Sequence, residues 1–379
     1  MAKIAVIGCG MVGSAMALDL AKNHQVKIAD LNEENLSKIV LKNPSVKTVR
    51  LDVTDRKALE SYIQFADIVL CAVPGFLGFK TLKTIIEAGK NVVDISFFPE
   101  NALELDYLAK EKNITAIVDC GVAPGIDNLI LGYYDTKFKI QSFECLVGGL
   151  PKEKKWPFYY KAPFSPIDVI EEYTRPARYV ENRQIVVKPA MSDAEYIYFD
   201  KIGTLESFNT DGLRSIIYTM SHIPDMKEKT LRYPGHIQQI LALKESGFLS
   251  TEPMKINNTS VRPVDFTCKI LFDEWKLKEN DEEFTVMRVT LKGENADNKP
   301  VEVVYDLYDE YCKETQTSSM SRTTGYTATA AVNMILEGIF QEKGVFPPEL
   351  VGKNEKCYQY IFEYLKTRGV EGKISEKGL

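Results

Sequence analysis

"KIAVIGCGMVGSAMALDLAK", Lys3 to Lys22, decides how the rest of the chain is read. A short apolar run ends on Gly8, and a segment with helical spacing begins almost at once. Between them lies Gly8-Cys9-Gly10-Met11-Val12-Gly13, a complete G-x-G-x-x-G. Gly8 permits a tight turn, Gly10 lets backbone approach a pyrophosphate, and Gly13 lets the helix pack close to the strand. The helix N-terminus offers free N–H groups and a partial positive charge to the phosphates. Glycine turns are common, so the pattern alone is weak. Its context makes it specific: it follows the first strand, and the second strand, "QVKIAD", ends on Asp30.

That acid points to the cofactor. A carboxylate about 20 residues past the turn can accept both ribose hydroxyls and would repel a 2′-phosphate. No arginine follows it; the next residues are Leu31 and Asn32. NAD is therefore expected ahead of NADP. Asp52 and Val53, ending the third strand, should lie near the adenine, although an acid there also fits an ordinary turn.

The alternation continues through "VKTVRLD", "DIVLCAV", "NVVDIS" and "ITAIVD", with helix-like segments between. Short strands alternating with helices imply βαβ units and a doubly wound sheet of six parallel strands from Lys3 to Asp119. Its ligand crevice lies beyond the carboxyl ends of the strands. "CAVPG" (Cys71–Gly75), "VVDIS" (Val92–Ser96) and "IVDCG" (Ile117–Gly121) all end there. Ala72, Val73 and Pro74 are expected against the cofactor, and Asp94, Ser96 and Asp119 near the substrate. A strand-end aspartate also serves as a helix cap or turn acid, so position alone leaves Asp119 between the two roles.

After Asp127 the pattern changes. "KIQSFECLVGG", "NRQIVVKPA", "AEYIYFD", "EKTLRYPGH", "EEFTVMRVTLKG" and "KPVEVVYDLYDEY" alternate as half-buried antiparallel strands do. "PVDFTCKILFDEWK" and "HIQQILALKESG" read as helices. The expected organisation is a Rossmann unit over 1–122, an α+β catalytic unit with a mixed or antiparallel sheet over 123–317, and a tail over 318–379 returning to the first unit. The tail opens with Ser318–Gly344, a long helix rich in small residues that suits close packing on the dinucleotide unit or across a subunit interface. Thr323 and Thr324 at its start either line the nicotinamide or cap the helix. The segment Leu150–Pro166, rich in proline and aromatics, is a long loop of either functional or packing character.

The totals exclude several classes. Among 379 residues 45% are hydrophobic and 26% charged, and the net charge of −6 is spread along the chain. That argues against nucleic acid or an anionic membrane as the partner. No run reaches the length of a membrane span, and the N-terminus enters a strand directly, so a cytoplasmic protein is expected. Seven scattered cysteines without C-x-x-C, and three histidines, give neither a metal site nor a disulfide framework.

The chain resembles the saccharopine dehydrogenase-like oxidoreductases, and within them the lysine 6-dehydrogenase branch. The resemblance rests on "VIGCGMVG", "DCGVAPGIDNLILG", "LVGGLP", "YFDKIGTLESFNTDG", "LRYPGH", and "TTGYTATAAV" followed by "GVFPPE". It implies a nicotinamide cofactor, chemistry at a carbon bearing nitrogen, and a homodimer or larger homo-oligomer. It places Ser96, Asp119, Gly121, Pro124 and Gly125 in the cleft, joined by Arg232, Tyr233 and His236; Cys120 is expected against the cofactor. "SFNTDG" stands where the family's saccharopine reductases carry an arginine for the glutamate part of their substrate. Its lack of arginine favours a smaller substrate such as free lysine.

The implied reaction is NAD-dependent oxidative deamination of lysine at the ε-carbon to 2-aminoadipate 6-semialdehyde, which cyclises, with release of ammonia. An ε-ammonium has a reference pKa near 10.4, so neutralising it at pH 7 costs roughly 4–5 kcal/mol. A base or a dry cleft must help. Asp119 is expected to contact the substrate amine, with general base as its further candidate role. Arg232 is the expected carboxylate clamp, with Tyr233 beside it; a strand-edge ion pair is its alternative. His236 is either a proton shuttle or a helix-start residue that packs. Two other functions compete: a saccharopine or carboxynorspermidine dehydrogenase acting on a secondary amine, and a non-catalytic NAD-binding protein.

Overall fold

The computed structural model describes residues 1–278 and 281–379. The apolar runs of the first third form β1 (Lys3–Ile7), β2 (Gln25–Asp30), β3 (Lys47–Arg50), β4 (Ile68–Cys71), β5 (Asn91–Asp94) and β6 (Thr115–Ile117). All pair in parallel, in the order β6-β5-β4-β1-β2-β3. Alternate residues of β1 feed different cores. Ile4 and Val6 join the cluster that holds Met16 and Ile130, whereas Ala5 and Ile7 join the one that holds Leu59 and Ile85. Both sheet faces are therefore covered, as doubly wound sheets require. From β1 the chain builds outward to β3, then returns to lay β4 on the other side of β1. This reversal opens the crevice at the carboxyl ends.

The expected six strands are joined by a seventh, Gly344–Phe346, parallel to β6. It brings the tail back to the first sheet. The long helix Ser319–Leu336 lies along α1 (Met11–Leu20). Gly325 allows the approach: a Cβ there would stand 3.0 Å from Met16 Cγ. Thr329 donates to the buried Asp19 carboxylate at 2.8 Å, and Tyr364 and Arg368 close on the same group. The small-residue face thus packs on the dinucleotide unit. The end of the tail departs from expectation: Gly372–Lys377 adds an edge strand to the second sheet.

That second sheet runs Glu195–Phe199, Gly203–Asn209, Asp225–Arg232, Lys139–Pro151, Glu283–Glu294, Pro300–Glu310, Gly372–Lys377. The hairpin Ala177–Glu181/Gln184–Lys188 attaches to Asp225–Arg232. Among the described residues only Asp225–Arg232 and Lys139–Pro151 pair in parallel in this sheet, so it is mixed. Helices Pro166–Thr174, His236–Glu245 and Pro263–Trp275 meet in a core around Tyr173 and Trp275. Among the described residues no helix is long and apolar enough to cross a membrane.

Candidate active site

One cleft of about 670 Å³ extends from the carboxyl ends of the parallel strands to the mixed sheet. At the parallel-sheet end, Gly8 has φ +96, and a Cβ on it would lie 2.3 Å from the Ala72 carbonyl oxygen. Gly13 is equally constrained, 2.0 Å from the Gly8 carbonyl. Gly10 is different. Its φ of −73 suits any residue, and a Cβ there would meet nothing within 4 Å. No packing demand accounts for this glycine; it borders open space at the start of α1. Gly10 also gives α1 no side-chain cap, so the first N–H groups of the helix are left for a ligand.

The Asp30 carboxylate accepts from Cys9 N at 2.6 Å and from Asn32 N at 2.7 Å. It holds the turn while lining the cleft. Leu51, Asp52 and Val53 continue this wall. Asp52 accepts from the Thr54 amide and hydroxyl, which hold its carboxyl below the usual range. Neither lysine nor arginine is among the described residues that line this end of the cleft. The gap at Gly10, the uncapped helix and two acids fit a nicotinamide dinucleotide.

The other end is acidic. Helix Pro166–Thr174 contributes Asp168, Glu171 and Glu172, followed by Arg175. The strand Asp225–Arg232 turns Glu228, Thr230 and Arg232 into the cleft, alternate residues on one face. Burial raises the carboxyls of Asp168 and Glu172, the latter despite a 3.0 Å ion pair with Arg232. Burial raises Glu228 further, and Asp127 and Glu172 nearby add to the effect. Asp119 and Asp211 also line the cleft but are paired with Arg214 and Arg178, as Glu171 and Glu172 are with Arg175 and Arg232, so among the described lining acids of this end Asp168 and Glu228 stand without an ion pair. A cationic substrate is favoured there on Coulombic grounds.

Two family models match the chain. The saccharopine dehydrogenase NADP binding domain covers residues 4–117, and the saccharopine dehydrogenase C-terminal domain covers 121–370. The chain belongs to the saccharopine dehydrogenase family. It is 27% identical over 252 residues to an alpha-aminoadipic semialdehyde synthase of Arabidopsis thaliana, covering 62% of this chain and 24% of that protein. The mouse mitochondrial alpha-aminoadipic semialdehyde synthase is 22% identical, over 97% of this chain and 47% of its own length. The chain thus spans less than half the length of these relatives. Apo saccharopine dehydrogenase (L-Glu forming) from Saccharomyces cerevisiae superposes with TM-score 0.80 at 21% identity, over 100% of both chains. That likeness shows the fold.

Within this saccharopine dehydrogenase fold, most residues expected at the cofactor reach the cleft. Gly8, Gly10, Met11, Val12, Gly13, Asp30, Asp52, Val53, Ala72, Val73, Pro74, Ser96, Gly121 and Pro124 all line it. Cys120 does not: it is buried, with Sγ toward the Thr327 carbonyl, because the residue between Asp119 and Gly121 faces the core. Asp94 is fully buried beneath the cleft and accepts from Ser96 N at 2.9 Å and Ser96 Oγ at 3.2 Å. Burial raises its carboxyl to about 7. It positions Ser96 and does not itself line the cleft. Thr324 lines the cleft, whereas Thr323 bonds back to its own helix. Phe164, Ser165 and Pro166 bring the end of the long loop to the cleft wall.

Three expectations for the substrate end are corrected. Asp119 lines the cleft, but its carboxylate accepts from Arg214 Nη2 at 2.8 Å and Nε at 3.1 Å, with both side chains buried. A free base is not found there. His236 is fully buried; Tyr173 Oη lies 2.9 Å from Nε2 and the Phe158 carbonyl 2.8 Å from Nδ1. Burial and the neighbouring Arg232 lower it to about 3, so it stays neutral and cannot shuttle protons near neutrality. Tyr233 donates to the Pro151 carbonyl at 2.9 Å and lies off the cleft, because its neighbour Arg232 takes the cleft-facing position of the strand. Arg232 does reach the cleft. Hydrogen bonds to Tyr173, Tyr160, Glu172 and the Leu231 carbonyl engage its guanidinium.

Glu228 and Arg175 were missing from the expected site. Strand alternation offered a signal for Glu228: Met226 belongs to the core, so Glu228, Thr230 and Arg232 share its face. Nothing local marks Arg175, which follows a helix end by one residue.

Proposed function

We propose that the chain oxidises the ε-carbon of free L-lysine with NAD, releasing ammonia and 2-aminoadipate 6-semialdehyde, in the manner of a lysine 6-dehydrogenase. One observation carries this reading: an acid-walled pocket with few cations continues directly from the glycine-turn cleft. A diamino acid bears two ammonium groups and one carboxylate, which matches that excess of acid. Saccharopine bears three carboxylates and calls for more cations than Arg175 and Arg232 supply.

The bound nicotinamide would supply the acceptor for the hydride. The chain's own residues do the rest. Ser96, fixed by Asp94, and Gly121 form the wall between the two ends of the cleft. Asp119, tied to Arg214, shapes that wall and contributes a carboxylate near the substrate amine. Arg232 holds Glu172 in place at the substrate end. The reacting amine must lose a proton before its lone pair can form the C=N bond, and water must then add to the resulting iminium.

NAD is proposed over NADP although the family's matching domain is an NADP binding domain. A 2′-phosphate would meet Asp30 and Asp52 and find no lysine or arginine among the described residues lining that end. Saccharopine oxidation is the second reading, supported by the family to which the chain belongs. A steady-state panel of lysine, saccharopine and diamines, each with NAD and NADP, tests both. The proposal expects the highest kcat/KM for lysine with NAD. A higher value for saccharopine would replace it.

A further inference from the structure

Two groups of the cleft, opposite in sign when ionised, each leave one buried polar atom without a hydrogen bond. Glu228 is 4% exposed, and its Oε2 is buried with no hydrogen bond. Its carboxyl lies over Gly212, where a Cβ would stand 1.9 Å from Oε1, so the carboxyl occupies space that only glycine leaves open. Burial without a partner disfavours its charged form, so a cation brought beside it would be held. The groups around Glu228 do not neutralise it. Asp127, Glu172 and Asp211 are acids, Cys145 is a buried thiol on the neighbouring strand, and Arg214 is committed to Asp119. Asp127 itself leaves Oδ2 unpartnered.

Arg175 is the counterpart. Its Nη2 holds Glu171 at 3.1 Å, and its guanidinium lies over the Phe97 ring, but Nη1 is buried without an acceptor. Arg232, by contrast, is engaged on all three nitrogens. Of the two described guanidinium groups lining the cleft, Arg175 is therefore the one with a buried donor to give.

We propose that Glu228 accepts the proton of the reacting ammonium and Arg175 receives the substrate carboxylate, so that the pair selects an amino acid with a cationic side chain. This rests on the amine-oxidising reading of the cleft. The step balances. The ammonium gives its proton to the Glu228 carboxylate and becomes a neutral amine. The C–H electron pair leaves as hydride to the bound nicotinamide, and the nitrogen lone pair forms the C=N bond. Water adds to the iminium, the C–N bond breaks, and ammonium departs from the aldehyde. Glu228 returns its proton to solvent.

The test compares wild type with Glu228→Gln and Arg175→Gln, using lysine and its decarboxylated analogue 1,5-diaminopentane. Melting temperature and NADH affinity serve as controls for folding. Glu228→Gln is expected to lower kcat at least 100-fold with NADH affinity unchanged. It should also remove the acid limb of the kcat profile, which in wild type lies above the usual carboxylate range. Glu228→Asp should recover part of the rate. Arg175→Gln is expected to raise KM for lysine at least 10-fold and leave 1,5-diaminopentane unaffected. Near-wild-type kcat and an intact acid limb in Glu228→Gln would overturn the base. Equal losses on both amines in Arg175→Gln would overturn the carboxylate contact. A wild-type enzyme that oxidises no amine would overturn the underlying reading, a result visible before any variant is made.

Discussion

Replacing Asp119 by Asn is the perturbation whose outcome separates a structural ion pair from a free base. Asp119 and Arg214 are 4% and 3% exposed at their side chains. Asn keeps an acceptor for Arg214 and, at φ +52, tolerates the left-handed conformation that Asp119 adopts. The change therefore isolates the charge. Removing one partner of a buried pair costs about 3–5 kcal/mol, because the other charge stays buried and uncompensated. The Phe97 and Phe98 rings, 4.9 and 5.1 Å from the guanidinium, remain to receive it. They place the expected loss toward about 3 kcal/mol, a fall in melting temperature of several degrees for a chain of this size. Asp119→Ala should lose about 1 kcal/mol more through left-handed strain. The double variant Asp119→Asn/Arg214→Met should recover part of the loss. Thermal unfolding of the four proteins, followed by circular dichroism, measures this. If Asp119→Asn melts within a degree of wild type while kcat collapses, the ion pair is dispensable and Asp119 acts directly on substrate.

Other consequences follow from single positions. Gly10→Ala should fold with wild-type stability, since its φ is ordinary and the space beyond is open, yet weaken NADH binding at least 10-fold by fluorescence titration. Asp30→Ser should raise KM for NAD far more than for NADP, and equal effects would remove Asp30 from ribose recognition. Burial raises Glu283 to about 8 while it accepts from the start of the long helix. Its unfolded value is near 4.3, so the folded state holds a proton that the unfolded chain releases between these values. Stability from this group is present at low pH and lost as pH rises toward 8. Glu283→Gln should therefore raise the melting temperature more at pH 8 than at pH 5.

The parallel sheet was legible because most of its strands are short apolar runs closed by a glycine or an acid, and because the glycine turn sits between the first strand and its helix. Gly344–Phe346 escaped, since three residues carry no periodicity and their pairing depends on β6 far along the chain. The site divides in the same way. Gly10, Asp30 and Ser96 reach the cleft through local backbone geometry, which sequence spacing encodes. Asp119, His236 and Tyr233 stand at or beside strand and helix ends, where position suggests function, but their side chains are oriented by distant partners. Arg214 reaches Asp119 across 95 residues, Tyr173 meets His236 across 63, and Pro151 receives Tyr233 across 82. Glu228 needed only the alternation of its own strand, counted back from Arg232. Arg175 needed the fold, because its free nitrogen becomes apparent only when every neighbour is in place.

Ammonia and NADH measured together, in one reaction with lysine as the sole amine, test the central claim most directly. Oxidation of a primary amine in this cleft yields the two in equal amounts. Reduced cofactor without ammonia, or no reduced cofactor at all, would contradict it.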